Sequence, residues 1–159
     1  MDIFEIAIQM EKEGAVFYYD LADKAPTKGF KTIFKMLAED EEKHQEVFTK
    51  LKNKSESVMV PTKVADKAMS IIRGFKKEDF EKEKAQMQVY ERALNVEKMS
   101  IEFYEAQMGN LETEEMRKNV EEILNEEKRH YSMLEELIKM LSRPESWVEN
   151  AEFGVREDY

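Results

Sequence analysis

The sequence predicts an all-α protein: a bundle of four long helices, with a long crossover that holds a short helix, and a C-terminal tail. Three observations predict it. Only 5 Gly and 3 Pro interrupt 159 residues, while Glu, Lys, Met and Leu recur throughout, a composition that favours helices over strands. Apolar residues return at alternating steps of three and four along four separate stretches, the seam of a packed helix. The chain has a one-domain length, so the four amphipathic stretches have one core to share.

The first helix is expected from about Asp2 to Ala25, ended by Pro26 and Gly29, with an inner stripe of Phe4, Ile8, Glu11, Ala15, Tyr18, Ala22 and Ala25. After a very short turn the second carries Phe30, Phe34, Leu37, Glu41, His44, Phe48 and Leu51. A polar linker, "NKSESVMVPT", leads to a short helix in "KVADKAMSIIRGF", closed by Gly74. The third long helix is expected from about Glu78 to Met108, with Met87, Tyr90, Leu94, Glu97, Ile101, Tyr104 and Met108 inward and "GN" at 109–110 as its stop. Thr113 is a candidate N-cap for the fourth, whose stripe is Met116, Val120, Ile123, Glu127, His130, Leu134, Leu137 and Leu141. Residues 1–142 are thus the expected bundle. Residues 143–159, with Pro144, Trp147, Phe153 and Tyr159, are expected as a strap on the bundle or on a partner subunit.

Composition narrows the functional classes. A formal charge of −10 argues against nucleic acid, whose binding runs on Lys and Arg, and against an anionic membrane surface. The absence of cysteine removes disulfides, thiolate catalysis and Cys-ligated zinc or iron. The start, "MDIFEIAIQMEKEG", is acidic where a signal peptide is basic, and no apolar run approaches the ~20 residues of a membrane span. A soluble cytoplasmic protein is expected. The 11 methionines read as gap-filling core and surface-helix residues.

The chemistry sits in an internal repeat. A shift of 86 residues, without a gap, superposes "AIQMEKEGAVFYYDL" on "ALNVEKMSIEFYEAQ" and "LAEDEEKHQEVFTKL" on "ILNEEKRHYSMLEEL". It places Glu11 on Glu97, Tyr18 on Tyr104, Glu41 on Glu127 and His44 on His130, and these are the chain's 2 histidines. Each Glu-x-x-His pair lies on one helix face. Helical rise puts all four Glu about 20 Å from their hairpin turns, at one level of the bundle. One such motif in a chain that is 38% charged carries little; the doubled motif, preceded both times at 30 residues by Glu-x6-Tyr, carries the argument.

Four carboxylates and two imidazoles on apolar stripes cannot be buried unpaired, since an isolated buried charge costs several kcal/mol or takes up a proton. Two divalent cations balance four Glu− and two neutral His. Oxygen-rich ligation with one imidazole per ion suits iron or manganese. The expected arrangement has Glu41 and Glu127 bridging, Glu11 and His44 on one ion, and Glu97 and His130 on the other. Tyr18 and Tyr104, on the same stripes, either simply pack in the core or also hold a ligating carboxylate through the hydroxyl.

A Glu on the first helix, Glu-x-x-His on the second, and the same pair on the third and fourth resembles the ligand pattern of the ferritin-like di-iron carboxylate proteins. The phrases "MEKEGAVFYYDLA" and "VEKMSIEFYEAQM" resemble the rubrerythrin branch, over roughly residues 1–142. The resemblance implies Glu11, Glu41, His44, Glu97, Glu127 and His130 as ligands of two iron ions, manganese or a mixed pair being the alternatives. It also implies a homodimer and a small oxidant, H2O2 or O2, as substrate. Rubrerythrins proper add a rubredoxin domain with iron on four cysteines. Without cysteine or length for one, this chain is expected to need an external donor such as a rubredoxin-like protein. They also carry a further Glu three residues after the first ligand of the third helix. Here that position is Ser100, which implies a more symmetric site. The expected activity is a di-iron oxidoreductase reducing peroxide or O2. An iron-oxidising protein without a mineral core and a helical scaffold held together by its metal are the alternatives.

Overall fold

The computed structural model describes residues 2–142; the expected tail, 143–159, lies outside them. Six α-helices and one 3-10 turn make up the described chain, in the order α1 (Ile3–Lys24), α2 (Lys28–Lys52), α3 (Val64–Arg73), α4 (Lys77–Lys84), α5 (Met87–Gln107), the turn (Met108–Asn110) and α6 (Glu114–Ser142). No helix among the described residues is long and apolar enough to cross a membrane.

Local signals set most boundaries. The Asp2 carboxylate accepts from Phe4 N at 2.8 Å and starts α1, supplying one of the partners that a helix's first N–H groups lack. Ala25 is extended because Pro26 follows, so α1 ends there. Thr27 Oγ1 accepts from Phe30 N at 3.3 Å and Thr113 Oγ1 from Met116 N at 3.1 Å, capping α2 and α6. Gly29 is no helix stop. It lies inside α2, where a Cβ would stand 2.4 Å from the Phe75 ring, so a glycine is what lets the α3–α4 turn close on the bundle.

The long third helix expected from Glu78 to Met108 is two helices, α4 and α5, broken at Ala85–Gln86. The break is a tight turn in which Gln86 N bonds Glu83 O at 2.9 Å. Glu83, wholly buried, accepts from Thr27 N at 3.1 Å, from the Thr27 hydroxyl and from Tyr90 OH. Burial pushes its carboxyl up, against the pull of these donors. That anchor ties α4 to the α1–α2 turn.

Helix directions follow from side-chain bonds across the bundle. Tyr18 reaches Glu97 and Tyr104 reaches Glu11, so α1 and α5 are antiparallel. His44 meets Glu126 and His130 meets Asp40, so α2 and α6 are antiparallel too. With the short turns reversing α1 into α2 and α5 into α6, helices α2 and α5 run the same way. The chain between them must therefore return along the bundle, which is the crossover that carries α3 and α4.

The inward faces keep Phe4, Glu11, Ala15 and Tyr18 on α1, Ala25 at its C-cap, and Tyr90, Glu97 and Tyr104 on α5 as expected, and differ from the expected stripes at the positions between. Ile8, Ala22, Met87, Leu94, Ile101 and Met108 are half-buried, as is Met116 on α6, while Ala7, Gly14 and Leu21 and, on α5, Ala93 and Ser100 are buried. Ala7 and Gly14 are the repeat partners of Ala93 and Ser100, and such small side chains leave room for close helix approach. Apolar packing falls into two clusters. One holds Tyr18, Phe30, Phe34, Leu37, Tyr90 and Leu134 among others; the second holds Phe4, Phe48, Leu51, Tyr104, Val120 and Ile123. A polar layer lies between them.

Candidate metal centre

Helix α1 contributes Glu11 to this layer, α2 Glu41 and His44, α5 Glu97, and α6 Glu127 and His130; each is at most 2% exposed. The structure brings all six together, in two overlapping groups: Glu11, Glu41, His44 and Glu127, then Glu41, Glu97, Glu127 and His130. Glu41 and Glu127 belong to both. Within each group a donor atom from every residue lies within 4.8 Å of the others.

The two imidazoles face each other nearly parallel, ring centroids 6.3 Å apart. His130 Nδ1 stands 3.3 Å from Glu127 Oε1 and 3.6 Å from both Glu41 Oε1 and Glu97 Oε1. His44 Nδ1 stands 3.2 Å from Glu11 Oε2 and 3.5 Å from Glu127 Oε1. A first-row divalent ion with donors at about 2.1 Å keeps neighbouring donors roughly 3.0–3.4 Å apart, close to these spacings.

Hydrogen bonding tests the fit. Buried polar atoms nearly always have a partner. Here Glu41 Oε1, Glu97 Oε2, both Glu127 carboxylate oxygens and His130 Nδ1 have none, and all five atoms belong to the cluster. Carboxylate oxygens and an imidazole nitrogen converging without partners are the donor set of a cation. The residues present fit metal.

Electrostatics agrees. Burial, reinforced by the Glu11, Glu127 and Glu97 charges, drives the Glu41 carboxyl well above its usual range. Burial with the Glu11 and Glu97 charges pushes Glu127 up to about 8. For His44, burial pulls the imidazole down, but the Glu11 charge and its bonds to Glu11 and Glu126 carry it well above the ordinary value. Burial likewise opposes His130, and its bond to Asp40 together with the nearby Glu127, Glu41 and Glu97 carboxylates raises it well above. Without cations, this layer holds protons.

The two tyrosines bond crosswise. Tyr18 OH donates to Glu97 Oε1 at 2.5 Å and Tyr104 OH to Glu11 Oε1 at 2.6 Å, so each half's hydroxyl holds the other half's carboxylate. Burial and the facing carboxylates keep both phenols protonated.

Sequence reasoning missed two carboxylates and a hydroxyl. Glu126 Oε1 lies 2.8 Å from His44 Nε2 and Asp40 Oδ2 2.9 Å from His130 Nε2. A carboxylate accepts, so each Nε2 carries a proton and each Nδ1 faces the cluster, where with an ion bound it would offer its lone pair, the usual orientation of a metal-binding histidine by a neighbouring carboxylate. The signal was present: the 86-residue shift also superposes Asp40 on Glu126, each just before the shared Glu. The hydroxyl belongs to Thr62, in the crossover, which donates to Asp40 Oδ2 at 2.8 Å while its N–H donates to Glu126 Oε2 at 3.0 Å. Its position in the sequence carries no signal.

Outside the layer a cavity of about 240 Å³ opens between α1 and α5, lined by Met10, Gly14, Phe17, Val96, Met99 and Ser100. A Cβ on Gly14 would lie 2.9 Å from Glu41 Oε2, so only the bare glycine separates this groove from a shared carboxylate.

No curated protein and no solved structure matches the chain. The family model described as Rubrerythrin matches residues 2–138, nearly the whole described bundle. With that match over a helical bundle built around a doubled Glu and Glu-x-x-His cluster, the chain belongs to the rubrerythrin family.

Proposed function

We propose that the chain is a di-iron oxidoreductase of rubrerythrin type that reduces H2O2 or O2 with electrons from a separate donor protein. One observation carries the reading: two buried four-residue ligand sets share Glu41 and Glu127, with one imidazole to each. In this reading Glu11 and His44 complete one ion's set and Glu97 and His130 the other's. Held so, two iron ions would supply the two electrons needed to break an O–O bond; H2O2 with two electrons and two protons gives two waters.

The chain's own residues do the rest. Glu126 and Asp40 orient the imidazoles through Nε2, and Tyr104 and Tyr18 restrain Glu11 and Glu97 through Oε1. The two apolar clusters close the layer at either end, keeping bulk water from it. The groove over Gly14 and Ser100, about 240 Å³, is the side from which this reading brings a small neutral oxidant to Glu41. With no cysteine in the sequence, the reading assigns re-reduction to a rubredoxin-like partner.

The test is metal content after purification without added metal, then anaerobic Fe2+ loading and rapid mixing with O2 or H2O2. About two ions per chain, and a di-ferric absorption that E41A/H44A abolishes, are expected; the faster oxidant is the substrate. Only trace metal under both conditions sinks the reading. Stable zinc with no oxidant-dependent band favours a structural metal instead.

A further inference from the structure

Beyond the six candidate ligands, we infer that Thr62 is a positioning residue through which the crossover makes the two halves of the metal centre inequivalent. The inference rests on the di-metal reading above. Thr62 is one residue, yet it reaches both repeats, because it sits where Asp40 of α2 and Glu126 of α6 come together. Those two carboxylates each orient one histidine, so what restrains them restrains Nδ1 of His130 and of His44.

The repeat places a carboxylate behind each histidine, and Thr62 meets the two differently. Glu126 receives the backbone N–H of Thr62, which any residue except proline supplies, and the Arg129 guanidinium lies 3.9 Å from the same Oε2. Asp40 receives the hydroxyl, which depends on the side chain. Asp40 Oδ2 is shared between Thr62 Oγ1 and His130 Nε2, so the hydroxyl sets where that oxygen stands when it meets the ring. Loss of the hydroxyl therefore loosens His130 and leaves His44 held.

The segment is built to hold this position. Asn119 Nδ2 on α6 donates to Ser57 O at 3.0 Å, and Met59 is buried in the cluster beneath the layer, fixing the linker before Thr62. Helix α3 begins at Val64, itself buried, and fixes it after. The crossover thus forms a wall of the site.

The experiment compares full-length wild type, Thr62→Val and Thr62→Ser by anaerobic Co2+ titration, followed by d–d absorption and by the paramagnetically shifted imidazole N–H protons. Removing a group that positions a histidine's partner typically weakens metal about 10-fold or more. In Thr62→Val one of two ions is expected to lose about that much, with its imidazole N–H exchanging faster with solvent, while the other is unchanged. Thr62→Ser restores both, and Asp40→Asn reproduces the Thr62→Val pattern. Two ions bound as in wild type, or both weakened equally alongside a lower melting temperature of the metal-free protein, would overturn the inference. A wild type that takes up no Co2+ sinks the metal reading itself, a separate outcome.

Discussion

The hairpin of α1 and α2 and the hairpin of α5 and α6 carry the same ligands at the same spacing, yet their surroundings have diverged. Glu11 and Glu97, Glu41 and Glu127, His44 and His130, and the crossed tyrosines all exchange under the 86-residue shift. One layer away the symmetry fails. Under the same shift Gly14 corresponds to Ser100, Asp40 to Glu126, Phe34 to Val120 and Phe4 to Tyr90. Two ions held as proposed would demand matched donors, because coordination tolerates little displacement. The cores at either end need only volume and apolar surface, which many residue pairs supply.

Altering a shared ligand tests this most severely. In Glu127→Gln the metal-free protein should melt at a higher temperature than wild type, because a buried carboxyl crowded by Glu11 and Glu97 no longer has to take up a proton as the chain folds. The same variant should lose both ions, since Glu127 belongs to both sets. Calorimetry of metal-free and metal-loaded protein measures both; a drop in metal-free stability would mean that the carboxylate is paired as the structure stands.

The pH dependence has the same origin. Glu127 titrates at about 8 when folded and near 4.5 when unfolded, so above the lower value the folded state holds more protons. Its stability contribution is full below about pH 4.5 and is lost as pH rises to about 8. The raised His44 and His130 act with the same sign. Glu126 acts in the opposite direction at low pH. Burial raises it, but its bond to His44 and the His44 charge outweigh that and hold it at about 2, so its contribution disappears between about pH 4.5 and 2. The metal-free melting temperature should therefore fall from pH 5 to 8, and bound metal should flatten the curve.

Tyr18→Phe and Tyr104→Phe make a symmetric pair. Each removes one hydroxyl bond to a terminal carboxylate, so each should weaken one ion about 10-fold and cost about 1 kcal/mol of stability, to similar extents. Unequal losses, read by metal titration, would show that the halves differ at the ligands themselves.

The smallest effects separate Gly14 from its repeat partner. Gly14→Ala places a methyl 2.9 Å from Glu41 Oε2, so the carboxylate must shift and metal affinity should drop several-fold. Ser100→Ala, at the matched position on α5, should change affinity by less than about 2-fold, since no side-chain bond from Ser100 reaches a ligand among the described residues. Equal effects of the two substitutions would mean that the groove is as closed on one side as on the other.

Much of this molecule was written in local pattern. The all-helical class, the N-cap at Thr113, the stop at Pro26 and the six clustered acids and imidazoles follow from period, cap chemistry and a gapless repeat, all properties of neighbours along the chain; the N-cap at Thr27 was not read there. Asp40 and Glu126 were legible by the same repeat but were masked by the acidic residues around them. Three features were decided only in three dimensions. The break at Ala85–Gln86 has neither Gly nor Pro and keeps its apolar spacing; it exists because Glu83 is drawn to Thr27, a residue 56 positions away. The burial of Ala7 and Ala93 rather than Ile8 and Leu94 depends on which small side chains let helices approach. Thr62 acquires its role from the crossover's path over two helices that meet only after folding. Periodicity specifies which face of a helix is buried; which groups meet across the bundle depends on how the chain returns, and that is a property of the whole fold.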